Sequence, residues 1–235
     1  MTDLDPLKRA AAAAAVERFV RPGMRLGLGT GSTAAMMLAE LGERLGDGRL
    51  EDIVGVPTSA ATAARCVELG IPLATLDELP ELDLVIDGAD EIDPNLDLIK
   101  GLGGAHLREK VVALASRRMV VVGDESKLVH RLGEQAPLPV EVVQFARPVA
   151  ERLLREQGWR LELRTASGTA FVTDEGNHIL DCRRDDWDDP SALAAGVMQV
   201  PGVVAHGFFL GIASTAVVAT RAGLRVLERP PAAVA

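Results

Sequence analysis

The first 130 residues alternate between two kinds of apolar segment. Short apolar runs, bounded by glycine, proline or acidic residues, are typical of buried strands. Longer segments rich in alanine and other helix formers are typical of helices. Strands are predicted over 24–29, 53–56, 72–76, 82–87 and 118–123, and helices over 4–20, 33–45, 59–69 and 105–116. This alternation indicates an α/β fold with a mainly parallel sheet covered on both faces.

The pattern changes after about residue 130, where strands joined by tight turns become frequent. Strands are predicted over 137–143, 159–164, 169–174 and 178–183, a helix over 147–157, and a second helix that Asp189 caps and Pro190 begins. We interpret residues 131–206 as a β-α-β-β-α-β order, which indicates a small α+β (ferredoxin-like) unit. The apolar segment that follows is predicted to return to the main sheet. We therefore expect a Rossmann-like catalytic domain over 1–130 plus 207–235, and a small α+β domain over 131–206.

Composition and charge exclude several function classes. The 235 residues carry a formal net charge of −9 and include no Tyr, two Trp and five Phe. Nucleic-acid binding requires a basic surface, and single-strand binding also requires aromatic stacking platforms, so no nucleic-acid partner is expected. No apolar run approaches the ~18 residues that cross a bilayer, and the N-terminal segment lacks the basic start of a secretory signal. Cys66 and Cys182 lack metal-ligand spacing and indicate thiols in a reducing cytoplasm.

A glycine-rich turn, GLGTGSTA, follows the first predicted strand. Gly29 and Gly31 allow close approach of the backbone, and the helix that follows offers unpaired N–H groups to an anion. The hydroxyls of Ser32 and Thr33 add donors. The alternative is a tight turn that binds nothing. A dinucleotide site is disfavoured because Ser32 stands where the G-x-G-x-x-G pattern requires glycine.

An acidic segment, DGADEID, follows the strongly apolar strand LDLVI. Ligands of open parallel sheets bind at the carboxyl ends of strands, where Asp87 is expected to lie. Gly88 keeps the turn narrow, so that Asp87 and Asp90 are expected to face one pocket. Glu91 and Asp93 are expected to be solvated turn residues, since acidic side chains are mostly exposed. A magnesium site stays an alternative, because carboxylates together with a substrate phosphate can hold that ion.

The segment KGLGGAHLREK places a lysine, a glycine loop and a helix start in succession. Lys100 beside the flexible Gly101 and Gly103 can meet an anionic oxygen that the loop amides also contact. Glu109 lies about one turn into the helix and is followed by Val-Val-Ala-Leu. Its apolar surroundings are expected to raise its pKa toward the range of a working base. The alternative for Glu109 is a surface salt bridge with a basic neighbour.

Together, these three segments resemble ribose-5-phosphate isomerase of the A type. The resemblance rests on the order GTGST, DGADEID, then Lys-Gly-x-Gly-Gly-Ala with Arg-Glu-Lys, and VPTS, VTDEGNHILD and PGVV extend it over nearly the whole chain. It implies a cytoplasmic homodimer or homotetramer without metal or other cofactor, built from a Rossmann-like domain and a small α+β domain. Such an enzyme interconverts D-ribose 5-phosphate and D-ribulose 5-phosphate through an enediolate in the non-oxidative pentose phosphate pathway.

The resemblance also implies residue roles. Glu109 matches the base that moves a proton between C1 and C2, and Asp87, Asp90 and Lys100 match the other catalytic residues. The substrate-binding residues that it implies are Gly29, Thr30, Gly31, Ser32, Thr33, Asp87, Gly88, Asp90, Lys100, Gly101, Gly103 and Lys127.

Two residues depart from the pattern typical of the family. Leu102 stands where glycine is usual, and the loop is strained if its backbone requires a positive φ. His106 stands where an apolar residue is usual; we expect a packed or surface histidine, three residues from Glu109 on one helix face. An N-terminal basic residue is also expected to contribute to the site, and the sequence does not choose between Lys8 and Arg9.

Three other functions are weighed against the isomerase. A phosphosugar-sensing regulatory domain would bind without turnover and would not need both Glu109 and Asp87. An amino-sugar deaminase or a lactonase of similar fold would use a differently placed histidine or acid. A nicotinamide-dependent oxidoreductase is disfavoured by the glycine spacing.

Overall fold

The computed structural model describes residues 4–230, so residues 1–3 and 231–235 of the predicted larger domain lie outside the described residues. The helices are α1 Asp5–Phe19, α2 Ser32–Gly46, α3 Ala60–Glu68, α4 His106–Ala115, α5 Arg147–Glu156 and α6 Pro190–Met198. The strands are β1 Arg25–Leu28, β2 Val54–Pro57, β3 Leu84–Asp87, β4 Glu91–Ile92, β5 Leu98–Ile99, β6 Met119–Asp124, β7 Leu138–Val142, β8 Arg160–Leu163, β9 Thr165–Ala166, β10 Thr169–Ala170, β11 His178–Arg183, β12 Val203–His206, β13 Phe208–Phe209, β14 Ala213–Thr220 and β15 Gly223–Glu228.

The main sheet has the strand order β15-β14-β6-β3-β1-β2. All neighbours are parallel except the edge strand β15, which runs antiparallel to β14. Successive side chains of a strand point to opposite faces. Leu84 and Ile86 of β3 accordingly pack in the core that α1 and α2 cover, whereas Val85 packs with Val112 of α4. The predicted α/β class, with a sheet covered on both faces, is confirmed.

A second sheet has the strand order β12-β7-β11-β8, with all neighbours antiparallel. Its chain order, with α5 and α6 between strands, is the predicted β-α-β-β-α-β order. Trp159 and Trp187 meet edge to face in its core, with ring centroids 5.6 Å apart. The same core includes Ile99 and Phe208, which lie outside 131–206. The division into a Rossmann-like domain and a separate small domain therefore stays a prediction.

Two predicted strands are much shorter in the structure. The strand predicted over 72–76 is reduced to a single bridge between Leu73 and Gly55, because Pro72 has no N–H to extend the ladder. The strand predicted over 169–174 is only the two-residue β10, which forms a small hairpin with β9.

A third sheet, of order β13-β5-β4, was not predicted. Its strands have two residues each, which is too short for an alternating pattern to be recognised. This sheet positions the site, because Lys100 follows β5 directly and its backbone N–H donates to Gly207 O at 2.9 Å. The helices within residues 4–230 are all too short or too polar to cross a lipid bilayer.

Candidate active site

Asp87, the last residue of β3, organises the glycine-rich turn that follows β1. Because β1 and β3 are parallel neighbours, their carboxyl ends meet at one edge of the sheet. Asp87 Oδ1 accepts hydrogen bonds from the backbone N–H groups of Thr30 at 3.0 Å and Gly88 at 2.7 Å. A Cβ atom at Gly29 would lie 2.2 Å from that oxygen. Glycine is therefore required at position 29 for the carboxylate to hold the turn.

A cluster of hydroxyl groups at and just before the start of α3 supports the same turn. Thr30 Oγ1 lies 2.7 Å from Thr58 Oγ1, 2.9 Å from Ser59 Oγ and 3.0 Å from Thr62 Oγ1. Thr62 Oγ1 in turn donates to Gly29 O at 3.1 Å. The Thr30 hydroxyl is thus engaged by the protein itself. Thr58 and Ser59 belong to the VPTS segment of the resemblance, but none of the three supporting residues was predicted.

Lys100 lies between two buried carboxylates. Its Nζ is 2.9 Å from Asp87 Oδ2 and 3.3 Å from Glu109 Oε2, and it donates to Gly88 O at 2.5 Å. None of the three charged side chains is more than 5% exposed. Within the described residues, Glu109 Oε2 has no hydrogen-bond partner. The surface salt bridge considered for Glu109 is therefore wrong, and its carboxylate is available at the site.

Burial and charge shift the protonation of this cluster. Burial raises the pKa of Glu109 to about 8; the Lys100 charge opposes this effect and the Asp87 charge adds to it. Burial also raises the pKa of Asp87. For Lys100, burial acts to lower the pKa, but the two carboxylates more than offset it, so that its pKa lies above the usual range. The cluster thus combines a permanent cation with a carboxyl group that can gain or lose a proton near neutral pH.

A cavity opens beside the cluster and brings the three predicted segments together. Its lining residues are Thr30, Gly31, Ser32, Thr33, Gly88, Ala89, Asp90, Lys100, Gly101, Gly103, Glu109 and Lys127. Of the predicted site residues, Gly29 and Asp87 lie behind this lining, and Ala89 was not predicted. Of the two N-terminal candidates, Lys8 contacts the turn, donating from Nζ to Ser32 Oγ at 3.1 Å, whereas Arg9 is exposed.

Asp90 holds the loop that follows Lys100. Asp90 Oδ2 accepts a hydrogen bond from the Leu102 N–H at 2.9 Å. The positive φ values of this loop belong to Gly101, at 109°, and Gly104, at 80°. Leu102 does not have a positive φ, so it introduces none of the strain that glycine would relieve.

The expectation that Glu91 is a solvated turn residue is wrong. Glu91 is fully buried, and its carboxylate accepts the backbone N–H groups of Gly133 at 2.6 Å, Gln135 at 2.5 Å and Ala136 at 2.6 Å. These three bonds satisfy buried carboxyl oxygens that would otherwise be costly to bury. Asp93 is half-buried and accepts hydrogen bonds within its own turn. No local sequence pattern predicts the contacts of Glu91, because its hydrogen-bond partners lie more than 40 residues away in the chain.

His106 is packed rather than exposed. It is fully buried, with Nε2 3.7 Å from Glu141 Oε2, and neither ring nitrogen finds a hydrogen-bond partner in the described part of the chain. Burial lowers the pKa of His106 to about 3, and the charges of Lys110 and Arg164 add to this effect. His106 is therefore neutral at physiological pH and does not border the cavity.

These features define a class of site. A buried lysine between two carboxylates, next to a glycine-rich helix N-terminus, suits a small phosphorylated anion from which a proton is moved. Among residues 4–230, no group of three or more His, Cys, Asp or Glu side chains is arranged to hold a metal ion.

Comparison with known proteins identifies the family. The model of the ribose 5-phosphate isomerase A (phosphoriboisomerase A) family matches residues 54–223. Ribose-5-phosphate isomerase A of Roseiflexus sp. (strain RS-1) is 58% identical over 97% of this chain and 98% of its own length. The protein of the same name from Nitrobacter hamburgensis is 52% identical over 96% of this chain and 99% of its own.

Solved structures agree with the sequence relatives. A D-ribose-5-phosphate isomerase in complex with phospho-erythronic acid is 39% identical, with a TM-score of 0.93, over 97% of this chain and 100% of that chain. Ribose 5-phosphate isomerase from Plasmodium falciparum is 38% identical, also with a TM-score of 0.93, over the same shares. The chain belongs to the ribose 5-phosphate isomerase A family. It is an isomerase of the family that interconverts ribose 5-phosphate and ribulose 5-phosphate.

Proposed function

We propose that Glu109 moves the proton in this isomerisation and that the reaction passes through an enediolate. The observation that carries the proposal is the Glu109 carboxylate, buried at the cavity 3.3 Å from Lys100 Nζ. Aldose–ketose isomerisation removes a carbon-bound proton next to a carbonyl and returns it to the adjacent carbon. A carboxyl group with a pKa of about 8 is a stronger base than an ordinary glutamate. General base catalysis of this kind contributes a factor of about 10²–10⁴.

Lys100 stabilises the negative charge that develops on the substrate oxygen. Lys100 borders the cavity, and its ammonium group stays charged because Asp87 and Glu109 flank it. Loss of one such preorganised donor commonly costs about 3–4 kcal/mol of transition-state stabilisation. Asp87 does not border the cavity; it contacts Lys100 Nζ and accepts the Thr30 N–H of the glycine-rich turn. Asp90 accepts the Leu102 N–H and so holds the loop after Lys100.

The substrate phosphate binds at the glycine-rich turn. The N-terminal N–H groups of α2, which begins at Ser32, attract an anion, and Lys8 and Lys127 add positive charge nearby. Binding energy at the phosphate is remote from the reacting carbons and can be used to orient them. The solved relative in complex with phospho-erythronic acid supports a phosphorylated sugar-like ligand for this chain.

The wider setting follows from the family resemblance. We place the reaction in the non-oxidative pentose phosphate pathway of the cytoplasm, without a metal or other cofactor and without a nucleic-acid partner. The buried free thiols of Cys66 and Cys182 support a reducing compartment. A homodimer or homotetramer is supported by exposed apolar side chains, such as Phe145 at 95% and Leu224 at 50% exposure.

The test is ketose formation from ribose 5-phosphate in the presence of EDTA. Rapid turnover is expected from the parent, with a loss of kcat of about 10³-fold or more in Glu109→Gln. Glu68→Gln is the matched control, because Glu68 is an exposed glutamate paired with Arg65, and its kcat should equal that of the parent. Binding without turnover by the parent would favour a sensor, and activity that returns only with Mg²⁺ would favour the magnesium alternative. Full activity of Glu109→Gln would assign the proton transfer to another group.

A further inference from the structure

The loop between Lys100 and helix α4, residues 100–104, which we call the lysine–glycine loop, is bound from outside by an arginine of the second sheet. Arg164 follows β8 directly, and its side chain is 11% exposed. Arg164 Nη1 donates to Gly101 O at 2.6 Å and to Leu102 O at 3.1 Å. One guanidinium nitrogen thus holds two successive carbonyls immediately after Lys100.

Asp181 fixes the plane of this guanidinium. Arg164 Nε donates to Asp181 Oδ2 at 3.0 Å, and Nη2 donates to Asp181 Oδ1. Such a two-point pair sets the orientation of an arginine more tightly than a single bond does. The Arg164 backbone is also anchored, because its N–H donates to Ile179 O at 2.9 Å in β11. The donor that reaches the loop is therefore held in place by strand β11.

The lysine–glycine loop needs an external restraint. Three of its five residues are glycines, whose backbone has more conformational freedom to lose than any other. On the Lys100 side the backbone is held by Gly207 O, and Asp90 accepts the Leu102 N–H. Arg164 holds the carbonyl groups of the same short segment. Together these contacts determine where the Lys100 side chain leaves the backbone.

We propose that Arg164, oriented by Asp181, is a positioning residue of the isomerase that keeps Lys100 aligned with the substrate oxygen. The proposal rests on the role proposed above for Lys100. Arg164 itself does not border the cavity. Its loss should therefore leave the phosphate turn intact and act on the reaction through the lysine. A misplacement of about 1 Å in a catalytic group can cost about 10²-fold in rate.

The experiment compares Arg164→Met with Arg160→Met in the full-length chain. Arg160 is the matched control, because it belongs to β8 and makes a two-point pair with Asp185, at 2.8 and 2.7 Å, but that pair is exposed. We expect Arg164→Met to lower kcat about 10- to 100-fold with a change of KM below about threefold, since a group that acts mainly in the transition state affects kcat. Arg160→Met should stay within about twofold of the parent in both constants.

Two further variants keep the test informative if Arg164→Met does not fold. Arg164→Lys retains the charge but cannot make the two-point pair, and Asp181→Asn weakens that pair with Arg164 retained. Both should lower kcat, by less than Arg164→Met, at unchanged KM. A kcat equal to that of Arg160→Met in all three variants, or an effect on KM alone, would overturn the positioning role.

A Lys100→Met variant separates the two proposals. If Lys100→Met is strongly impaired while the Arg164 variants match the parent, only the positioning role is wrong. If Lys100→Met keeps the parent's kcat, the role of Lys100 is wrong and the positioning role is overturned with it.

Discussion

Two residues of helix α4, His106 and Glu109, each belong to a different buried polar cluster. The two clusters differ in whether a lysine balances the carboxylates. Glu109 borders the cavity and lies 3.3 Å from Lys100 Nζ, which a second carboxylate also contacts. His106 does not border the cavity, and its Nε2 lies 3.7 Å from Glu141 Oε2. The first cluster thus contains a cation that compensates its carboxylates. The second contains a neutral imidazole beside a carboxylate.

The difference distinguishes the cluster that we propose to be catalytic from one that is only packed. In the second cluster, Glu141 Oε1 accepts hydrogen bonds from Thr173 and Asn177. Glu141 Oε2 and both His106 nitrogens have no hydrogen-bond partner within residues 4–230. An unsatisfied buried polar group costs about 1–3 kcal/mol. Both clusters contain strongly shifted pKa values, so a shifted pKa alone does not identify a catalytic group. Glu109 differs from His106 in two further respects, because a lysine lies beside it and it borders a cavity.

The largest expected effect comes from removing the compensating cation. Lys100→Met should lower kcat about 10²–10³-fold, because the developing oxyanion loses its donor and Glu109 faces Asp87 without a cation between them. Lys110→Met is the matched control, since Lys110 is also a largely buried lysine but donates to His206 O instead of a carboxylate. Steady-state kinetics with ribose 5-phosphate measures both. Equal losses in the two variants would indicate a general packing effect and contradict the assigned role of Lys100.

The residues that meet at this candidate site could be singled out from the sequence because they belong to contiguous motifs. The glycine turn, the Asp87 segment and the segment after Lys100 each combine a strand or helix boundary with residues of recognisable chemistry. The α/β fold followed from the alternation of apolar segments, and the Asp189 cap is confirmed by its bond from the Ala192 N–H at 2.9 Å.

The remaining features depend on contacts between residues that are far apart in the chain. The sheet that carries Lys100 pairs Leu98 with Phe209, and Arg164 reaches Gly101 across 63 residues. Local periodicity contains no information about such pairs. The burial of Glu91 and His106 was missed or left open for the same reason. A polar residue in a helix or turn is buried only when distant segments cover it.

The second-largest effect, after that of Lys100→Met, is expected in the pH dependence of kcat/KM. This dependence distinguishes Glu109 from an ordinary glutamate. If Glu109 is the base, it must be deprotonated, and burial raises its pKa to about 8. We therefore expect log kcat/KM to rise with pH and to level off near pH 8, with about a tenfold loss per unit below that value. The substrate phosphate ionises near pH ~6 and accounts for a separate limb there. A profile that is flat between pH 6.5 and 8 would contradict the raised pKa of Glu109.

The smallest effect concerns stability and tests the second cluster. His106→Leu removes two buried nitrogens that lack hydrogen-bond partners within residues 4–230 and should raise the free energy of unfolding by about 1 kcal/mol at pH 7. The gain should widen as the pH falls. The pKa of His106 is about 3 in the folded protein and 6.5 ordinarily, so below pH 6.5 only the unfolded chain binds this proton and stability is lost. At pH 5 this contribution reaches about 2 kcal/mol.

Urea unfolding of the parent and His106→Leu at pH 7 and pH 5 measures this difference directly. His206, whose pKa burial also lowers to about 3, is present in both proteins, so its contribution cancels in the comparison. If His106→Leu is less stable than the parent at both pH values, the contact with Glu141 stabilises the fold. The second cluster would then be a stabilising contact between α4 and β7. It would differ from the Lys100 cluster in its location in the fold, and not in whether its buried polar groups are stabilised.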